Sequence, residues 1–178
     1  MTIIEQLKKL EQESIERKVP IIGPEKAKWI LNKIKQNKPK TILELGTANG
    51  YSGIILASEG AILTTVDTSP HAVQEAMKNF KEFNITAHVI LGDGVKYVKE
   101  LTQENAKFDL ILLDFANKEY INVLKNCLKI LSKDGMLIAD NIDLPGCKEF
   151  KERIQVHPKL NTEIIGIGNG MSSSMFKN

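Results

Sequence analysis

Apolar residues recur along this chain at two different spacings, and the switch between them sets its organisation. Residues 2–17 place Ile4, Leu7 and Leu10 at helical spacing among polar residues, which predicts a first helix. Pro20, Gly23 and Pro24 break it into a loop over Lys18–Pro24. Ala27, Ile30, Leu31 and Ile34 then mark one face of a second helix, at about Glu25–Gln36. From there short apolar runs alternate with helical stretches. Strands are expected at Ile42–Gly46, Ala61–Val66, Ala87–Leu91, Phe108–Leu113 and Met136–Ala139. Between them come a helix at Ser52–Ser58 and another behind the Ser69-Pro70 start signal, with Val73, Ala76, Met77 and Phe80 inward. A third, at about Lys118–Leu131, turns Val123, Leu124, Cys127, Leu128 and Leu131 inward, and Lys133-Asp134-Gly135 reads as its glycine stop.

Strands as apolar as DLILLD and MLIAD point to a sheet buried on both faces. Alternating strands and helices imply parallel pairing through right-handed crossovers. After residue 145 the pattern changes to a helix at about Cys147–Val156, a strand at Glu163–Ile167, a Gly168-Asn169-Gly170 turn and a last strand to Lys177. That ending reads as an antiparallel hairpin. The expected fold is α/β, doubly wound and Rossmann-like, a mostly parallel seven-stranded sheet with an antiparallel C-terminal hairpin. It forms one domain over 1–178, with a helix and loop (1–22) ahead of the core (23–178).

Composition narrows this little. At 178 residues, 42% hydrophobic and 26% charged, the chain can bury a continuous core. A net charge of +2 gives no electrostatic footprint for nucleic acid or an anionic membrane. Two cysteines, Cys127 and Cys147, lack metal-type spacing, and the charged N-terminus lacks the apolar stretch of a signal peptide. No apolar run approaches the roughly 20 residues of a membrane span. The expectation is a soluble, cytoplasmic protein.

The most informative segment is ILELGTANGYS, Ile42–Ser52. An apolar strand runs into the acidic Glu44, then Gly46, Ala48 and Gly50 alternate ahead of a helix. Such a turn brings backbone N–H groups against a ligand, and Glu44 favours one with a cationic group over a pyrophosphate. Asp67, about 20 residues on, is placed to accept from both hydroxyls of a ribose. A dinucleotide turn and a plain helix-capping role for Asp67 both stay open on these residues alone.

Four segments together resemble the class I S-adenosylmethionine-dependent methyltransferases, and within them the metal-dependent catechol and caffeoyl-CoA O-methyltransferases. They are ELGTANGYS, TTVDTSP, LGDGVKYV, and the pair FDLILLDFANKEY and LIADNI. The resemblance implies a methyltransferase fold and cofactor contacts at Glu44, Gly46, Thr47, Ala48, Gly50, Ser52, Asp67, Thr68, Gly92, Asp93, Gly94 and Asp114. In particular it implies that Ser52 reaches the cofactor's carboxylate, that Glu44 faces its ammonium and that Gly92–Gly94 meet its adenine. It implies a divalent metal, Mg²⁺ by its hard oxygen ligands, on Asp114, Asp140 and Asn141. Such a metal would lower the pKa of a bound hydroxyl, and a catechol would chelate it through two oxygens. The acceptor would be a small hydroxylated molecule, and relatives are often homodimers.

The chain departs from that family in two places. Where relatives carry a general-base lysine three residues after the strand-four aspartate, this chain has Asn117, with Lys118 next to it as a candidate replacement. The insertion that covers the acceptor in relatives is missing after Asn141, so the pocket should be more open, or completed by the Lys18–Pro24 loop or a partner subunit. Two alternatives follow: a metal-independent methyltransferase acting on RNA or protein, and a cofactor-binding protein without catalysis.

Overall fold

The computed structural model describes residues 2–177; Met1 and Asn178, which the expected domain includes, lie outside them. The predicted first helix is split into α1 (Ile3–Gln6) and α2 (Lys8–Glu16). Thr2 starts α1 through a capping box: its hydroxyl accepts from the Glu5 N–H while the Glu5 carboxylate accepts from the Thr2 N–H. Helix α3 (Gly23–Asn37) begins two residues earlier than predicted, because Pro24 fits the first turn, where its missing N–H costs nothing.

The core alternates strand and helix: β1 (Thr41–Leu45), α4 (Tyr51–Ala57), β2 (Ile62–Asp67), α5 (Pro70–Glu82), β3 (Ala87–Leu91), α6 (Gly94–Gln103), which was not among the expected helices, β4 (Phe108–Leu113) and α7 (Tyr120–Ile130). It ends in β5 (Leu131–Asp140), α8 (Lys148–Gln155), β6 (Leu160–Ile165) and β7 (Met171–Phe176). The seven strands form one sheet in the order β3-β2-β1-β4-β5-β7-β6. The first five in that order pair in parallel, and β7 runs antiparallel to both β5 and β6.

One expected boundary is wrong. Gly135 is not a helix stop: α7 ends at Ile130, and Leu131 is already extended and paired with Phe108. The buried Leu131 side chain holds this early start, and a Cβ on Gly135 would press within 2.9 Å of it. A register shift between Phe108 and Leu110 absorbs the extra length.

Period-two alternation sends β4 side chains to both faces. Leu110 and Leu112 join Ile30, Ile34, Ile54 and Phe80 on the face covered by α3, α4 and α5. Ile111 and Leu113 join Val98, Val123, Cys127 and Ile154 on the face covered by α6, α7 and α8. Between β1 and β4 the strand order reverses, and crevices for ligands form at that point beyond the C-terminal strand ends. No helix among the described residues is long and apolar enough to cross a membrane.

Candidate active site

A cavity of about 670 Å³ opens at this switch point, within the usual size of small-molecule sites. One half is built by the glycine turn. Gly46 sits at φ +106, and a Cβ there would run into the backbone carbonyl of Asp114, so only glycine closes the β1 strand end against β4. Ala48 follows in the left-handed region, at φ 44, and its N–H donates to Asp67 Oδ2 at 3.0 Å. Asp67 Oδ1 accepts from the Ser69 N–H at 2.9 Å. Asp67 therefore braces the turn and the start of α5, and as a cavity wall it keeps lone pairs for a ligand.

The structure separates the sequence candidates. Gly46, Ala48, Ser52, Asp67, Thr68, Gly92, Gly94 and Asp114 line the cavity; Glu44, Thr47, Gly50 and Asp93 do not. Gly50 is required by packing, since a Cβ would meet the Phe80 ring at 3.0 Å. Asp93 caps α6, accepting from the N–H groups of Val95 and Lys96. The Thr47 hydroxyl is fully buried against that of Thr65 at 2.6 Å.

Glu44 is the main correction in this half. It lies within β1, fully buried beneath the turn, rather than facing a ligand's ammonium. Its Oε1 accepts from Ser52 Oγ at 2.5 Å and its Oε2 from Thr65 Oγ1 at 2.6 Å. Burial pushes its pKa up to about 8; the two hydroxyl donors oppose that, while the charges of Asp114 and Asp67 reinforce it. Glu44 acts on the cavity through Ser52, whose hydroxyl it holds.

The other half of the cavity gathers Asp114 behind β4 with Asp140 and Asn141 at the end of β5. Parallel neighbours deliver these ends to one edge. Burial, with the charge of Asp140 added, raises the Asp114 pKa to about 7, and Lys26 draws it down. Asn141 takes the left-handed conformation, at φ 57, which asparagine tolerates better than most residues.

Lys26 is the residue that sequence reasoning missed. Only 7% exposed, it donates to Asp140 Oδ1 at 2.5 Å and to Asn141 Oδ1 at 3.2 Å. A signal was there: Lys26, Ile30 and Ile34 share one stripe of α3, and a lysine in an apolar stripe requires a buried partner.

Lys26 also decides how the expected metal fits. Asp114, Asp140 and Asn141 are hard oxygen donors of the kind Mg²⁺ takes. Yet two of the three already bind an ammonium group. A dication about 4 Å from that ammonium would meet repulsion of roughly 8 kcal/mol at an effective dielectric of 20. As arranged, the residues do not fit a divalent ion. Among the described residues no cluster of three or more His, Cys, Asp or Glu forms elsewhere.

The two catalytic candidates also part. Lys118 is exposed, in the single 3₁₀ turn Asn117–Glu119, and is not part of the cavity wall. Asn117 is part of it, and its Nδ2 is a buried donor with no partner among the described residues. Leaving such a group unpaired costs about 1–3 kcal/mol, which a ligand can recover. Pro20, Ile21 and Ile22 of the Lys18–Pro24 loop line the cavity.

The O-methyltransferase family model matches residues 1–174. The chain is similar to a catechol O-methyltransferase of Bos taurus, 26% identical over 144 residues, covering 75% of this chain and 53% of that one. It is also similar to the O-methyltransferase hkm8 of Aspergillus hancockii, 30% identical over 149 residues, covering 79% of this chain and 58% of the relative. The chain thus spans little more than half the length of these two relatives. In fold it matches an O-methyltransferase of Bacillus cereus solved with SAH (TM-score 0.87, 21% identity, 97% of this chain and 91% of that one). It likewise matches TomG of Streptomyces achromogenes, solved with SAM (TM-score 0.85, 20% identity, 97% and 89% covered). With nearly its whole length matched by the family model, the chain belongs to the O-methyltransferase family.

Proposed function

We propose that this chain is an S-adenosylmethionine-dependent O-methyltransferase acting on a hydroxyl of a small, phenolic molecule. The observation that carries this reading is the shared cavity. Its glycine-turn half, with Asp67 and Ser52, suits an amino-acid nucleoside, and its Asp114–Asp140 half lies beside it with polar groups for a second molecule. The cofactor, when bound, supplies a methyl group already activated on a sulfonium. The chain's task is then to hold the two reactants in line.

Asp67, steadied by the Ala48 N–H, offers its remaining lone pairs to the ribose hydroxyls. Ser52, whose one hydroxyl proton goes to Glu44, keeps lone pairs for the ammonium end. Pro20, Ile21, Ile22 and Phe115 give the acceptor ring apolar contact, while Asn117 and Lys26 give its oxygen polar partners. Lys26 holds Asp140 and Asn141, two of the three residues a divalent ion would need, and stands as the cation beside the acceptor oxygen. A cavity of about 670 Å³ suits a small acceptor better than an RNA or protein chain.

The test is calorimetry against S-adenosylmethionine, S-adenosylhomocysteine and NAD, followed by turnover on a panel of phenols. Binding of the two sulfur nucleosides, with methyl ethers formed from a phenol, is the expected result. Binding of NAD alone would overturn the reading. Asp67→Ala should weaken S-adenosylhomocysteine at least tenfold, or about 1.4 kcal/mol.

A further inference from the structure

We infer that the Lys26 ammonium is the permanent cation of the acceptor site, standing where relatives of this family would place a divalent metal. The inference rests on the methyltransferase reading above. Two observations carry it. The Nζ donates to both Asp140 Oδ1 and Asn141 Oδ1, two of the three oxygens expected to bind metal. The stem is enclosed: Lys26 projects from α3, and Gly168 of the β6–β7 turn packs over it, leaving only 3.3 Å between Lys26 Cε and the point where a Cβ would stand.

An ammonium has three N–H donors, of which two are used here. Lys26 is part of the cavity wall, so the third is left for an oxygen of the acceptor. That changes the substrate class. A metal ion gathers two oxygens of a catechol, whereas one N–H takes one oxygen. The acceptor here needs a single hydroxyl, and a neighbouring hydroxyl brings no advantage.

The test is Mn²⁺ uptake followed by electron paramagnetic resonance, with S-adenosylhomocysteine present. The unaltered chain should leave the free Mn²⁺ signal intact up to about 1 mM. Lys26→Ala should take up one ion at least tenfold more tightly, and Lys26→Met, which keeps the buried stem, should do the same. Turnover of the unaltered chain should survive EDTA and be as fast on a monophenol as on the matching catechol. Micromolar uptake of Mn²⁺ by the unaltered chain, or EDTA-sensitive turnover, would overturn the inference; the first needs no variant to fold. If the chain binds S-adenosylhomocysteine but also takes up Mn²⁺, this inference fails alone. If it binds no S-adenosylhomocysteine, the methyltransferase reading fails with it.

Discussion

Replacing Glu44 by glutamine should make the protein more stable, by an amount that grows with pH. Glu44 is fully buried, with both oxygens receiving hydroxyl hydrogen bonds and, among the described residues, no cation paired with them. Its pKa is raised from 4.5 to about 8, chiefly by burial. The folded state therefore holds a proton between those values that the unfolded chain has released. Below pH 4.5 both states are protonated and stability is undiminished; it declines as pH rises and levels off once pH passes about 8. At about 1.4 kcal/mol per pH unit the loss is roughly 3 kcal/mol at pH 6.5 and about 5 kcal/mol at pH 9, both upper bounds. Glutamine keeps the shape and never ionises. Its amide N–H can donate to Thr65, which then donates to Thr47 across the 2.6 Å contact. Urea denaturation of both proteins from pH 5 to pH 9 measures the gap. It should be near zero at pH 5 and open to several kcal/mol at pH 9. Two curves parallel to within about 0.5 kcal/mol across the range would refute the account.

Two further outcomes follow from the site. Gly46→Ala should lower stability by about 3 kcal/mol, because it combines a left-handed backbone with a Cβ driven into the Asp114 carbonyl; a loss under 1 kcal/mol in urea denaturation would contradict that. Lys118→Ala should leave turnover within about twofold, since the side chain is exposed and away from the cavity wall. A tenfold fall in kcat/KM, about 1.4 kcal/mol of transition-state binding, would restore Lys118 as a catalytic candidate.

Most of the sheet was legible because its strands are local patterns, although β6 runs from Leu160 to Ile165 and not over the expected Glu163–Ile167. DLILLD could be read as a strand buried on both faces from its residues alone, and Gly168-Asn169-Gly170 announced the hairpin. Gly46 and Asp67 were legible for a similar reason, being fixed by a turn that spans few residues. Glu44 was misread because a strand's two faces differ only by what packs on them, and Ser52 and Thr65 come from other elements. Lys26 was missed because its partners lie 114 and 115 residues away. Nothing near it in sequence says which carboxylate it meets. Gly135 misled for a third reason: a local stop signal was overridden by the pairing of Leu131 with Phe108.

Helix α2 ties the N-terminal segment to the glycine turn that lines the cavity. Tyr51 Oη donates to Glu11 at 2.7 Å, Asn49 Nδ2 donates to Ser14 Oγ at 2.7 Å, and Arg17 grips Glu75 of α5 through two bonds of 2.5 and 2.8 Å. Asn49 and Tyr51 belong to the turn itself. Order in α2 and occupancy of the turn are therefore linked quantities: whatever free energy a ligand gains from a preformed turn, it returns as resistance of α2 to fraying. Amide exchange along Lys8–Glu16 would then report on a nucleoside that touches none of those residues, and the N-terminal segment becomes a built-in gauge of cofactor saturation.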